Sequence, residues 1–188
     1  MLGDLLAGAL EDAAARRETR PLAQVEAEAL ARPAALDALG ALAPADRVKI
    51  IAEVKRSSPS RGALAEIPDP ALLGSRYETG GASAISVLTE GRKFRGSLQD
   101  LEQVRDTVSI PVLRKDFIGE PYQVLEARAS GADLVLLIVA ALDQKTLVEL
   151  HALVGELGMT ALVETHSAEE VSARSTSARR SSASTRAT

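Results

Sequence analysis

Apolar residues recur at helical spacing through the first forty or so positions. From Lys49 they give way to short apolar runs alternating with amphipathic stretches. Met1 to Arg17 (MLGDLLAGALEDAAARR) predicts a helix, with Asp4 placed to cap or charge its start. Pro21 interrupts it, and residues 22–31 (LAQVEAEALA) predict a second helix that stops before Pro33. Residues 33–42 (PAALDALGAL) predict a weaker helical piece or a connector. This opening segment holds no polar constellation, and its expected role is to cover one end of the remaining fold.

The alternation then becomes regular. Residues 49–55 (KIIAEVK) predict a strand, followed by a loop that fits no strand or helix pattern. Residues 69–79 (DPALLGSRYET) predict a helix with Asp69 as N-cap and Pro70 at its first position, ended by Gly80-Gly81. Strands follow at 84–88 (AISVL), 111–114 (PVLR), 133–139 (DLVLLIV) and 160–164 (TALVE). Between them lie helices at 97–107, capped by Ser97, at 121–130, stopped by Gly131, and at 143–157, stopped by Gly158. The unbroken apolar run at 133–139 predicts a strand buried on both faces.

Strand, helix, strand, helix at near-equal intervals implies right-handed βαβ units and a parallel sheet. Five such strands suit either an open doubly wound sheet or most of a (β/α)8 TIM barrel. No G-x-G-x-x-G follows the first strand, so the dinucleotide-binding version is unsupported. Lys55, Lys115 and Glu164 each end a separate predicted strand, and Glu53 lies close to the end of the first. A barrel gathers strand C-termini onto one face, so these four residues would converge there. Any one alone reads as a strand-end charge reaching solvent; together they read as a site.

Composition narrows the chemistry. The 188 residues are 46% hydrophobic but only 2% aromatic, with no Trp, which argues against base-stacking platforms for nucleic acid. The net charge is −4, yet residues 172–188 contain Arg174, Arg179, Arg180 and Arg186 and no acid. Setting those four aside leaves 18 basic and 26 acidic residues, a charge of −8, on residues 1–171. Such a body is a poor general binder of nucleic acid, and any phosphate it holds must be held locally. No cysteine is present, which excludes disulfides and thiolate metal sites and fits a reducing cytoplasm. No apolar run reaches the roughly 18 residues of a membrane span. The expectation is a soluble, cytoplasmic protein.

The stretch KIIAEVKRSSPSRG, residues 49–62, concentrates the candidate chemistry. On an extended strand Glu53 and Lys55 share a face. Opposite charges at the end of a buried strand are costly unless paired or used. Hydroxyls, backbone N–H groups and Arg61 in the loop after it are suited to a phosphate. A surface Glu–Lys pair followed by a solvated turn is the alternative.

The series IIAEVKRSSPSRG (50–62), ISVLTEGRKFRGS (85–97), PVLRKDFI (111–118), LVLLIVAAL (134–142) and ALVETH (161–166) resembles the indole-3-glycerol phosphate synthase family of the tryptophan pathway. The resemblance runs from about the N-terminus to about Val171. It implies a (β/α)8 barrel with an N-terminal helical extension at residues 1–45. It also implies a cofactor-free, metal-free ring closure of an anthranilate-linked deoxyribulose phosphate, with loss of carbon dioxide and water. By that resemblance Lys115 is the general acid at the ketone, and Glu164 the acid/base for water loss and aromatisation. Glu53 steadies the lysines and developing charge, while Lys55 engages the substrate's carboxylate. Ser58 and Pro59 fall in the phosphate-contacting loop, and Phe94, Phe117, Leu136 and Ile138 wall the anthranilate ring. For Leu136 and Ile138 plain barrel packing is an equal reading. The implied partner is a small phosphorylated substrate, with no nucleic acid and no membrane, and a monomer is expected. His151, inside a predicted helix, and His166, in a loop after Glu164, are read as outside the chemistry.

After Val171 the pattern departs from the family. Residues 172–188 (SARSTSARRSSASTRAT) have no Leu, Ile, Val or aromatic residue, cannot bury a face, and are expected to be disordered. The partial barrel is thus placed at 46–171, lacking the family's sixth strand, its Asn and the last two βα units. With GC-rich codons, Ser177–Thr188 read one base over gives LGAQVIGVNARN, resembling the family's sixth-strand motif and suggesting a frameshift. Five strands out of eight would leave two open edges and an aggregation liability. Three other readings stay open: an inactive remnant of the enzyme, a sister barrel such as phosphoribosylanthranilate isomerase, and an aldolase-type Schiff-base lysine.

Overall fold

In the computed structural model, which describes residues 2–64 and 66–168, five parallel strands lie side by side in chain order. Three helices precede them: α1 (Leu2–Thr19), α2 (Leu22–Ala31) and the short α3 (Ala38–Leu42). The sheet and its connections follow as β1 (Ile51–Val54), a hairpin of β2 (Ser57–Ser58) and β3 (Gly62–Ala63), α4 (Pro70–Thr79), β4 (Ala84–Leu88) and α5 (Leu98–Thr107). Then come β5 (Val112–Lys115), α6 (Pro121–Ala129), β6 (Leu134–Ile138), a 3-10 turn at Val139–Ala141, α7 (Gln144–Glu156) and β7 (Thr160–Glu164). The strand order is β1-β4-β5-β6-β7, all parallel.

Local chemistry sets the element boundaries. Asp69, Ser97 and Asp143 each accept a hydrogen bond from the backbone N–H three residues on, satisfying an orphan donor at the start of α4, α5 and α7. Gly158 follows α7 with φ +75°, a conformation that lets the chain reverse into β7. Strand alternation then divides the apolar residues between two faces. Ile85, Val87, Val112, Val135 and Leu137 join Leu101, Val124, Leu147 and Leu150 of the helices in the outer layer. Leu113, Leu134, Leu136 and Ile138 face the concave side, where Ala38 and Leu42 of α3 pack against them. The helical opening therefore reaches the concave face through α3 and through Leu2 of α1.

Four expectations need correction. The first strand runs from Ile51 to Val54 rather than 49–55: Ile50 O accepts from Ser83 N (2.7 Å) and Ala84 N (3.3 Å) at the very start of β4, and Lys55 lies just past the strand's end. Residues 33–42 are helical only from Ala38, Asp37 capping Gly40 N at 2.9 Å. The region after Arg56 is not patternless loop: Ser57 and Ser58 pair antiparallel with Ala63 and Gly62. The third strand includes Lys115. The predicted tail, 172–188, lies outside the described residues, as do Glu169–Val171.

Candidate active site

Sheet register brings the predicted residues together from strands far apart in the chain. Lys115 at the end of β5 donates from Nζ to Glu53 Oε1 of β1 at 2.5 Å. Lys55 Nζ lies 2.8 Å from the other oxygen of the same carboxylate. Burial pushes the Glu53 carboxyl up, but the hydrogen bonds and charges of Lys115 and Lys55 outweigh that and hold it below the ordinary glutamate range. Glu164 ends β7 in register with Ile138 of β6.

Two cavities at this end of the sheet share Lys115, Glu164 and Leu136. One, about 240 Å³, is walled by Phe94, Phe117, Leu136, Ile138, Leu88 and, from α1, Leu2. The other, about 220 Å³, lies deeper and adds Glu53, Ser86, Ile51, Leu113 and Leu162. Phe94 and Phe117, the chain's two phenylalanines, pack on each other with ring centroids 6.1 Å apart and planes tilted 43°. One side of the site is thus charged and the other apolar.

The loop bearing Phe94 is shaped by Glu90, a buried residue whose carboxylate accepts from the backbone N–H of Arg92 (2.9 Å), Lys93 (2.7 Å) and Phe94 (2.8 Å). Gly96 donates to Glu90 O at 2.8 Å and passes so close to β4 that a Cβ there would lie 2.0 Å from Leu88 O. Arg92 ties the same loop to Glu11 and Asp12 of α1.

Lys115 and Phe117 flank Asp116, which is buried and fully used. Its Oδ1 accepts from Phe117 N at 2.8 Å, and its Oδ2 from the Thr89 hydroxyl at 2.6 Å and Arg114 at 3.0 Å. Arg114, 1% exposed, also donates to Gln123 O at 2.8 Å and Glu126 at 3.4 Å. Glu126 is held in turn by Arg16 of α1 at 2.6 Å. Every charge in this chain of contacts has an opposite partner, which is the condition for keeping ions in a low-dielectric interior. The network fixes the turn after β5.

Glu53, Lys115, Glu164, Phe94, Phe117, Leu136 and Ile138 therefore line one or both cavities, and Lys55 adjoins them through Glu53. Ser58 and Pro59 line neither; they belong to the hairpin, where Ser57 Oγ donates to Gly62 O at 2.9 Å. Sequence reasoning set His166 aside, yet its Nε2 lies 3.0 Å from Glu164 Oε1 and its ring lines the outer cavity. It also missed Glu90, Asp116, Ser86 and Leu2. Asp116 had a signal, an acid between the strand-end Lys and Phe; the other three had none. Among the described residues no group of three or more His, Asp or Glu is placed to hold a metal ion. No described helix is long and apolar enough to cross a membrane.

Side-by-side parallel strands in chain order, helical crossovers and a cluster of acids and amines at the strand C-termini define a chain of the (β/α)8-barrel class. The family model described as indole-3-glycerol phosphate synthase matches residues 2–178, and the chain belongs to that family. An indole-3-glycerol phosphate synthase of Leifsonia xyli subsp. xyli is 73% identical over 172 residues, covering 92% of this chain and 66% of the relative. Proteins of the same name from Beutenbergia cavernae and Kineococcus radiotolerans are 59% and 58% identical, covering 90% and 91% of this chain and 63% and 64% of theirs. The chain thus spans just under two thirds of the length of these relatives.

Proposed function

We propose that the chain performs the indole-3-glycerol phosphate synthase reaction. It closes the ring of 1-(2-carboxyphenylamino)-1-deoxyribulose 5-phosphate, with loss of carbon dioxide and water, in tryptophan biosynthesis. The observation that carries this reading is the meeting of Lys115 and Glu164 on a common cavity, with Glu53 bonded to the lysine and an aromatic wall alongside. As a ring carbon attacks the ketone, Lys115 protonates the oxygen that gains charge, the ammonium being aimed by Glu53. The attacking ring carbon then loses its carboxyl group as carbon dioxide, the electron pair of that bond restoring the benzene ring. Glu164 assists departure of the hydroxyl as water with removal of the adjacent proton, which completes the five-membered ring of the indole. Phe94, Phe117, Leu136 and Ile138 sandwich the anthranilate ring, while Lys55 engages its carboxylate. Ser58 and Pro59 belong to a phosphate-contacting hairpin. The substrate is a small phosphorylated molecule, and the setting is a monomer in the cytoplasm.

The 188-residue chain supplied with that substrate should produce rising indole fluorescence. Lys115→Met should lower turnover by about a hundredfold or more. A second reading, favoured by the unpaired outer edges of β1 and β7 among the described residues, is a folded remnant without turnover. Growth of a tryptophan auxotroph lacking its own synthase on this chain would refute the remnant. A folded chain giving neither growth nor fluorescence would refute the enzyme.

A further inference from the structure

Ser86 sits in the middle of β4, an otherwise apolar strand that is buried at every position. The residue is 4% exposed, and its Oγ has no hydrogen-bond partner among the described residues. Register sets it directly beside Glu53 on β1 and Leu113 on β5, so it faces the concave side and lines the deeper cavity. Neighbouring strands are about 4.8 Å apart, and a buried hydroxyl left unpaired carries a desolvation penalty. Alanine would fill the same place without that penalty.

We propose that Ser86 is a positioning residue that holds one water molecule against the Glu53 carboxylate at the floor of the site. This rests on the catalytic reading of Lys115 and Glu164 and extends it by one group. A buried water needs two to four polar partners. The deeper cavity offers the Ser86 hydroxyl, both carboxylates and the Lys115 ammonium around about 220 Å³. Each Glu53 oxygen takes one ammonium and keeps a further lone pair to accept from the water. Ser86 thus completes the set that keeps Glu53 ionised and turned toward Lys115. The charged groups around Glu53 are Lys55 beside it, Lys115 from β5, and Glu164 from β7 across the cavity.

The test compares the 188-residue chain with Ser86→Ala and Ser86→Thr, reading three quantities. The first is the Glu53 carboxyl titration by carbon-13 NMR without substrate. The others are the melting midpoint and the pH profile of kcat. Ser86→Ala removes a hydrogen bond to the charged form, so the Glu53 midpoint should rise by about half a unit to one unit. The melting midpoint is read alongside to separate a loss of folding from a change confined to Glu53, and it should move little, because one water-mediated bond is lost while the cavity lining is otherwise kept. Turnover should fall roughly three- to tenfold with KM unchanged, and the acid limb of the profile should move up with Glu53. Ser86→Thr, which keeps the hydroxyl, should restore the titration. A Glu53 titration in Ser86→Ala that matches the parent chain overturns the proposal, whatever happens to stability. Because the titration is read without substrate, a parent chain lacking turnover would remove the enzyme reading and leave this test intact.

Discussion

β6 and β7 are five-residue neighbours in strict parallel register, yet every residue of β6 is buried and every residue of β7 only half-buried. β1, at the opposite edge, resembles β7: Ile51 is 37% exposed, and Ile50 just before it 53%. Composition separates them only in part: β7 carries Thr160 and Glu164, but its Leu162 and Val163 are as apolar as the residues of β6 and still half-buried, so the number of neighbours matters as well. Among the described residues β4, β5 and β6 have a strand on both sides, β1 and β7 on one. The site straddles the two regimes. Lys115 ends a central strand anchored by the Arg114 network, whereas Glu53 and Glu164 ride on the outer strands. The amine is held by the core, and the acids are held largely by what they bind.

The sharpest way to break this contrast is at Arg114. Arg114→Ala strands Asp116 without its cation in the interior and should cost about 3–5 kcal/mol, read by urea unfolding. A cost within experimental error of an exposed substitution would show that the centre is not anchored there. A matched pair of leucines tests the edge itself. Leu136 and Leu162 are register partners on the same concave face. Leu136→Ala should cost about 2–4 kcal/mol and Leu162→Ala about half as much, because the edge residue is already part-hydrated. Equal losses would erase the distinction.

The smallest effect concerns pH. Glu53 titrates lower in the folded chain than in the unfolded one, so its ion pairs stabilise the fold above the ordinary glutamate range. That contribution is lost as pH falls through the folded value of Glu53. The stability difference between the parent and Glu53→Gln should be about 1 kcal/mol or less near neutrality, given the partial exposure of the groups, and should vanish in acid. A difference that persists unchanged in acid would assign the effect to packing.

Much of this fold is legible in the chain because its signals are local. Asp69, Ser97 and Asp143 announce helix starts, and the runs at 84–88, 133–139 and 160–164 announce strands, the second of them one residue too long at each end. The β2–β3 hairpin escaped because two-residue strands of Ser, Gly and Ala carry no period, and only their pairing defines them. In the site, strand-end charges were readable because a parallel sheet collects strand ends. The link from Arg16 through Glu126 to Arg114 was not: Arg16 and Glu126 are 110 positions apart, and an arginine on an amphipathic helix looks like any solvated one. Ser86 was silent for the opposite reason, a small residue in a run of apolar ones.

The near-contact between position 96 and the Leu88 carbonyl separates what the Phe94 loop displays from the path it takes. Arg92 and Phe94 are set by what their side chains touch, while the crossing itself admits only hydrogen in place of a side chain. A change of side chain at position 94 would therefore repaint this corner and never reroute it.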